Sequence, residues 1–468
     1  MTRCSSARYL SVVLVGLTSG VASAGSSTPS AIFSSSGPLS AVPGEPGIQF
    51  VSFDRPIRSP GGTRWALLAR TNAPSVSDAL YLTGQGTTGV VRIREGVTEI
   101  EPGRTSENVA DRRIGVNDLG DYAVSVNLTG NTADDAVIVK GLAAGGFIIT
   151  AREGSLVPPA AGLPVGTTYG LISSTINSVQ LTTNGNPSFT APVIGSGITS
   201  ANDLCFFLPN GSLALREGIS PYGEGTASSF YVDSTAGNWL AVAKVAGAPA
   251  ATDDALWVNG AIVLREGFEV APSMPSGTYG TIGSFFLPTM ESNADWLARG
   301  RTSNGTGFAV RNGLVLAKTG DLVPGGEPGE AWSSDPWTFA TDPTFFHLSA
   351  NNLGDFMIGG FTNNPDGSRN AAWVLNNSEV VLRAGDQVDL DGDSVLDDAY
   401  IWFSNLSGAS PTSIGGFLTD DLWFYFTADI RNQAGASLGQ AYMRLLVPEP
   451  TMLGLLAAAV VAARRRRC

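Results

Sequence analysis

The chain is predicted to be all-β, a propeller of about seven four-stranded blades, on three observations. It holds 57 glycines and 27 prolines in 468 residues, and only 15% of its residues are charged. Short strand patterns recur in one fixed order at intervals of 49–65 residues. A spare apolar segment near the N-terminus lies in phase with that series.

Length is three times a typical domain of about 150 residues, yet closed β architectures often exceed that figure as one unit. Short apolar runs alternate with Gly, Asn, Asp, Ser and Pro clusters, the pattern of strands and turns, and long helical runs are absent. The clearest echo is an apolar strand ending in Arg-Glu-Gly, at 91–96, 149–154, 213–218 and 262–267, with degenerate copies at 315–320 and 380–385. Upstream of it comes Asp-Ala-apolar-x-apolar-x-Gly, at 78–84, 135–141 and 254–260, with looser copies at 203–208, 307–313, 370–375 and 440–446. Before that comes a turn and an alternating strand, at 120–126, 237–243, 294–299 and 354–358, with 63–69, 187–191 and 421–427 filling the remaining places. A variable strand starts most units, as at 284–288 and 344–348.

Four strands in each of seven units, at this period, match propeller blades. The last unit lacks its Arg-Glu-Gly strand. Residues 31–37 fit that place, since Gly37 lies 59 residues before Gly96. Such a strand would complete blade seven and remove the exposed edges of an open array. A pair of β-sandwiches or a β-solenoid is the alternative.

The ends read differently. Residues 1–24 form a signal peptide: Arg3 and Arg8, an apolar core from Tyr9 to Leu17, then Ala22-Ser23-Ala24 for cleavage. Residues 25–446 form the repeat domain. Residues 447–468 comprise Val447-Pro448-Glu449-Pro450, the apolar stretch Thr451 to Ala463, and the basic stop Arg464, Arg465, Arg466 and Arg467. The arginines would stay cytoplasmic, leaving the Pro-Glu-Pro outside. Thirteen apolar residues are few for a bilayer that needs about 20, which makes a marginal, temporary anchor.

This tail resembles the PEP-CTERM sorting signal of exported bacterial proteins. The resemblance implies recognition by an exosortase-type membrane protease and release to the cell surface or extracellular matrix. The repeats resemble those of propeller-like PEP-CTERM proteins of planctomycete type, through Asp254-Ala-Leu-Trp257 and Arg383-Ala-Gly-Asp386. That likeness implies a structural repeat, with no catalytic activity established for the family.

Removing the six arginines and one glutamate of the two ends leaves 22 basic and 40 acidic residues, a net of −18. Such a body argues against nucleic acid, whose phosphates need Lys and Arg. Cys205, alone in the body, has no disulfide partner and reads as a buried small hydrophobe. A Ser-His-Asp triad would have to use His347, the only histidine, which sits in an alternating strand.

The sharpest constellation is Asp389-Leu-Asp-Gly-Asp-Ser-Val-Leu-Asp-Asp398. Asp389, Asp391, Asp393, Asp397 and Asp398 offer the oxygen ligands that suit calcium. The run resembles calcium loops of exported repeat proteins but departs from the full EF-hand loop, with Gly392 in fourth place and Tyr400 in the twelfth. The competing reading is a solvated acidic hairpin. The Arg-Glu-Gly repeats read as one structural bond per blade rather than an arginine ring. Trp65, Trp239, Trp257, Trp296, Trp373 and Trp423 read as packing between blades rather than a sugar platform.

Two functions follow. One is a non-catalytic surface or matrix protein whose propeller binds an extracellular polysaccharide or surface protein. The other is a secreted carbohydrate-active enzyme with a carboxylate pair in the central funnel.

Overall fold

The computed structural model describes residues 27–448, apart from 173–177, 184, 225–228, 233–236, 272–276, 278, 292–293, 334–343 and 404–414. Seven antiparallel sheets form a seven-bladed β-propeller. Blade six shows the plan, with strands Phe345–Ala350, Phe356–Phe361, Ala371–Leu375 and Glu379–Arg383 paired in that order from the axis outward. The inner strand is broken into two pieces in blade one (Phe50–Phe53, Ile57–Arg58), blade three (Thr168–Tyr169, Val179–Leu181) and blade seven (Tyr400–Trp402, Gly416–Leu418).

Each middle strand is buried on both faces, because neighbouring blades pack on either side. Trp65–Thr71 and Ala371–Leu375 are almost wholly buried, whereas the outer strand Thr88–Arg94 is largely open. Long apolar runs therefore replace strict alternation in the middle strands. The glycine ending the Asp-Ala echo has a local cause in blades one and two. Gly84 faces Trp65, and a Cβ at Gly84 would lie 2.1 Å from that ring; Gly141 stands in the same relation to Tyr122.

Ser30–Ser34 pairs antiparallel with Ser437–Leu446, so the N-terminal strand supplies the outer strand of blade seven. A shared irregularity supports this placement. In all seven outer hairpins the outer strand bulges once, at Arg92, Thr150, Ala214, Val263, Leu316, Val381 and, in the closing strand, Ile32. Bulges sharpen local twist, and blades must twist to pack around an axis. The bulge also corrects the register read from sequence by one residue. Each repeated glycine lies four residues past its bulge, which in the closing strand is Ser36, not Gly37.

Beyond the bulge, Phe33 packs on Phe50, Trp65 and Tyr442 at ring separations of 5.1, 6.0 and 6.5 Å. Ala31 enters the core between blades six and seven, while Ile32 and Phe33 enter the core between blades seven and one.

Candidate functional site

The inner strands of all seven blades line a central channel of about 300 Å³. An inner strand has a partner on one side only, so its other edge faces the axis with unpaired N–H and C=O groups. Side chains of the preceding blade satisfy part of this edge. Ser178 Oγ accepts from Phe230 N at 3.3 Å, Gln180 Oε1 accepts from Val232 N at 3.1 Å, and Gln180 Nε2 donates to Phe230 O at 3.4 Å. Blade six repeats the device toward blade seven: His347 Nε2 donates to Gly416 O at 2.7 Å, and Ser349 Oγ accepts from Leu418 N at 3.0 Å. In blade two the approach is closer still. A Cβ at Gly115 would lie 2.5 Å from Leu181 N, so no side chain fits there.

His347 uses both ring nitrogens, since Nδ1 faces Arg55 Nη1 at 3.4 Å. Burial, then the charges of Arg55 and Arg299, hold its pKa well below the usual imidazole value, so the ring is neutral. Its role is to bridge two blades.

One mouth of the channel, where the first two strands of each blade turn, carries a network of polar side chains. Arg58 of blade one forms an ion pair with Glu291 of blade five, across the axis with blades six and seven between them. Arg58 Nη1 also donates to Leu418 O at 3.1 Å, and Nη2 reaches Asn352 Oδ1 at 3.3 Å. Asn352 donates to Pro60 O at 2.8 Å and to Asp420 at 3.0 Å. Burial pushes the Glu291 carboxyl up to about 7, with Arg58 pulling the other way. Among the described lining residues Glu291 is the one carboxylate, and Arg58 occupies it. Sequence reading missed this group, because residues 58, 291, 352 and 420 belong to no shared motif.

The acidic loop lies at the junction of blades six and seven. Carboxylate oxygens of Asp389, Asp391 and Asp397 come within 4.8 Å of one another, and Asp389 is buried. These three could hold a hard cation. The other two nominated residues point elsewhere: Asp393 accepts from Val395 N at 2.8 Å, and Asp398 accepts from Gln433 N at 2.9 Å. The loop also folds on its own carboxylates, with Asp389 accepting from Gly392 N and Ser394 N, and Asp397 from Leu390 N. It grips the closing strand: Ala31 N donates to Asp389 O at 2.9 Å and Asp389 N donates to Pro29 O at 3.0 Å.

The Arg-Glu-Gly repeats lie on outer strands, far from the axis. Their arginines donate to the carbonyl of the turn that precedes the third strand: Arg94 to Ser77, Arg152 to Asp134, Arg216 to Asn202, Arg265 to Thr252 and Arg383 to Arg369. Three also pair with a carboxylate that precedes the inner strand of their own blade: Glu45 and Glu330 from loops, and Glu101 from the short strand Glu99–Glu101. The adjacent glutamate of the motif is not the partner. Trp65, Trp239, Trp257, Trp296 and Trp373 are buried, and Trp423 is half-buried beneath the Arg444 guanidinium. Cys205 is fully buried, and burial pushes its thiol up to about 12.

Of the terminal signals, Val447 is buried in the core of blade seven, its N–H bonded to Leu422 O, and Pro448 follows it. Residues 1–24, Glu449, Pro450, the apolar stretch 451–463 and Arg464 to Arg467 lie outside the described residues. No helix among the described residues is long and apolar enough to cross a membrane.

No protein family and no curated protein matches the chain. Solved structures do align with it, all at low similarity. BBS1N in complex with ARL6DN shares 8% identity at a TM-score of 0.32, over 86% of this chain and 94% of that one. A protein of unknown function from Dyadobacter fermentans shares 9% at 0.31, over 86% and 100%. The subtype N11 neuraminidase-like protein of A/flat-faced bat/Peru/033/2010 (H18N11) shares 10% at 0.30, over 73% and 90%.

Proposed function

We propose that the chain is an exported bacterial surface or matrix protein whose propeller binds an extracellular polysaccharide or surface protein without catalysis. One observation supports the non-catalytic part of this reading: among the described residues that line the channel, the one carboxylate, Glu291, is ion-paired with Arg58. Hydrolysis of a glycosidic bond by paired carboxylates needs two carboxyl groups, one of them free to move a proton. The terminal residues supply the address: a signal peptide over 1–24, a temporary anchor over 451–463, and cleavage at the Pro-Glu-Pro of 448–450 by an exosortase-type protease. The Asp389, Asp391 and Asp397 carboxylates take calcium in this reading, which stiffens the loop against the closing strand.

The test incubates the mature protein with a panel of bacterial extracellular polysaccharides. Retention on one of them without release of reducing sugar is expected. Release of reducing ends that disappears in Glu291→Gln would sink the reading and favour the enzyme. In the producing cell, Glu449→Ala should trap the protein in the membrane fraction; unchanged release would remove the sorting step.

A further inference from the structure

In each blade the first strand runs toward the mouth that holds Arg58 and Glu291, and the second strand returns. The turns between second and third strands therefore lie on the opposite face. So do the segments that lead from one blade's outer strand to the next blade's inner strand. These leading segments are residues 35–49, 95–103, 153–167, 217–228, 266–281, 319–344 and 384–399.

The same segments repeat an apolar feature. One or two residues past the repeated glycine, an apolar side chain stands open in five successive blades. They are Val97, Leu156, Ile219, Phe268 and Leu322, between 46% and 68% exposed. Single exposed side chains of this kind are ordinary, but a set repeated around one face marks an interaction surface.

Charge says what fits it. Each leading segment holds at least one Asp or Glu, and none holds Lys or Arg. Together they carry half of the 40 acidic residues of the body. Arginines at the strand ends compensate part of this charge, as Arg94 does for Glu45 and Arg152 for Glu101. Glu99, Glu224, Asp393 and Asp398 are exposed and belong to no ion pair among the described residues. On the mouth side the acidic groups are tied down instead, Asp295 by Arg311 and Asp121 by Lys140. The chain ends also lie on the mouth side. Ser27 bonds to Leu446, and Val447 N donates to Leu422 O in the first turn of blade seven.

We propose that the face of the leading segments docks a basic protein, whose Lys and Arg meet the open carboxylates while its apolar side chains cover Val97, Leu156, Ile219, Phe268 and Leu322. Complementary charge supplies register and encounter, and the apolar set supplies contact area. The proposal rests on the reading of the chain as a non-catalytic binding protein and narrows its partner to protein. A polysaccharide platform needs open aromatic faces. Here four of the five side chains are aliphatic, and the Arg265 guanidinium stands 4.8 Å from the Phe268 ring centre.

The test measures binding of three labelled probes to the mature protein by fluorescence anisotropy. They are a peptide alternating Lys and Leu, an all-Lys peptide of equal charge, and a polyglucosamine chain. Saturable binding of the Lys-Leu peptide, tighter than either other probe, is expected. The triple variant Ile219→Ser, Phe268→Ser, Leu322→Ser should weaken it by roughly tenfold or more. Glu99→Gln with Glu224→Gln, and added salt, should weaken it too. Leu119→Ser with Leu353→Ser, on the mouth side, should leave it unchanged. All these side chains are exposed, so the variants should keep the wild-type melting temperature. No saturable binding of the Lys-Leu peptide overturns the proposal. So does equal binding of the all-Lys peptide, which means charge alone, or a loss caused by the mouth-side variant. Tighter binding of polyglucosamine also overturns it, yet leaves the non-catalytic reading standing, since that reading falls on release of reducing sugar.

Discussion

Arg383 and Glu330 are each 4% exposed and meet through two parallel bonds, Nη1 to Oε1 at 2.6 Å and Nη2 to Oε2 at 2.8 Å. Burial alone would raise the Glu330 carboxyl. Hydrogen bonds from Arg383 and Thr362 outweigh it and hold the group at about 2 instead of the usual 4.5. A depressed carboxyl stabilises the fold while ionised, above its unfolded value. That contribution is lost as pH falls from 4.5 toward about 2. Glu330→Gln should cost roughly 3–5 kcal/mol by urea unfolding at neutral pH, because it leaves Arg383 buried without its counter-charge. The variant should also lose the part of the acid sensitivity that falls in this window. A wild-type acid profile would show that other carboxylates dominate. The arginine was legible in sequence as a repeated position. Its partner, 53 residues upstream in an irregular loop, was not, because the Glu that follows Arg in most copies is a closer and false candidate.

The strand Ser30–Ser34 shows how far periodicity reaches. Phase alone placed it in blade seven, since the spacing to the next outer strand matches the others. The bulge at Ile32 was invisible, because a bulge depends on pairing and not on residue type; it shifts the equivalent glycine place to Ser36. The breaks in the inner strands were likewise hidden, since each piece is held by pairing with the second strand rather than by a pattern of its own. Burial of Ile32 and Phe33 is worth about 1.5–3 kcal/mol each. Deleting residues 25–35 also exposes the edge of Ser437–Leu446, a template for pairing with other chains. The shortened protein should therefore unfold at lower temperature and associate, read by calorimetry and light scattering. An unchanged monomer would contradict closure by this strand. Calcium, if bound at the Asp389 loop as proposed, would act on the same seam, through the bonds from Asp389 to Pro29 and Ala31. Adding Ca²⁺ should raise the melting temperature of the full protein and do so less in Asp389→Asn. No heat of binding and no thermal shift would remove that site.

At the scale of the whole ring, sequence gives a repeat but says nothing of what crosses the axis. Repeats report what each blade shares, and the network at the channel mouth is built from what the blades do not share. Arg58, Glu291, Asn352 and Asp420 tie blades one, five, six and seven, so blades distant in sequence should be coupled in energy. A double-mutant cycle isolates the coupling. Arg58→Met alone and Glu291→Leu alone each leave a polar partner in a site where the ion pair is 11% and 7% exposed. Each should cost several kcal/mol, on the order of 3–5. The double variant replaces both charges by apolar groups and should recover much of that loss, because desolvation of the pair disappears with it. Additive losses would mean that the two side chains act separately and that the network does not brace the ring. Recovery of stability together with unchanged polysaccharide retention would place the binding surface away from this mouth. Recovery with lost retention would place it at the network.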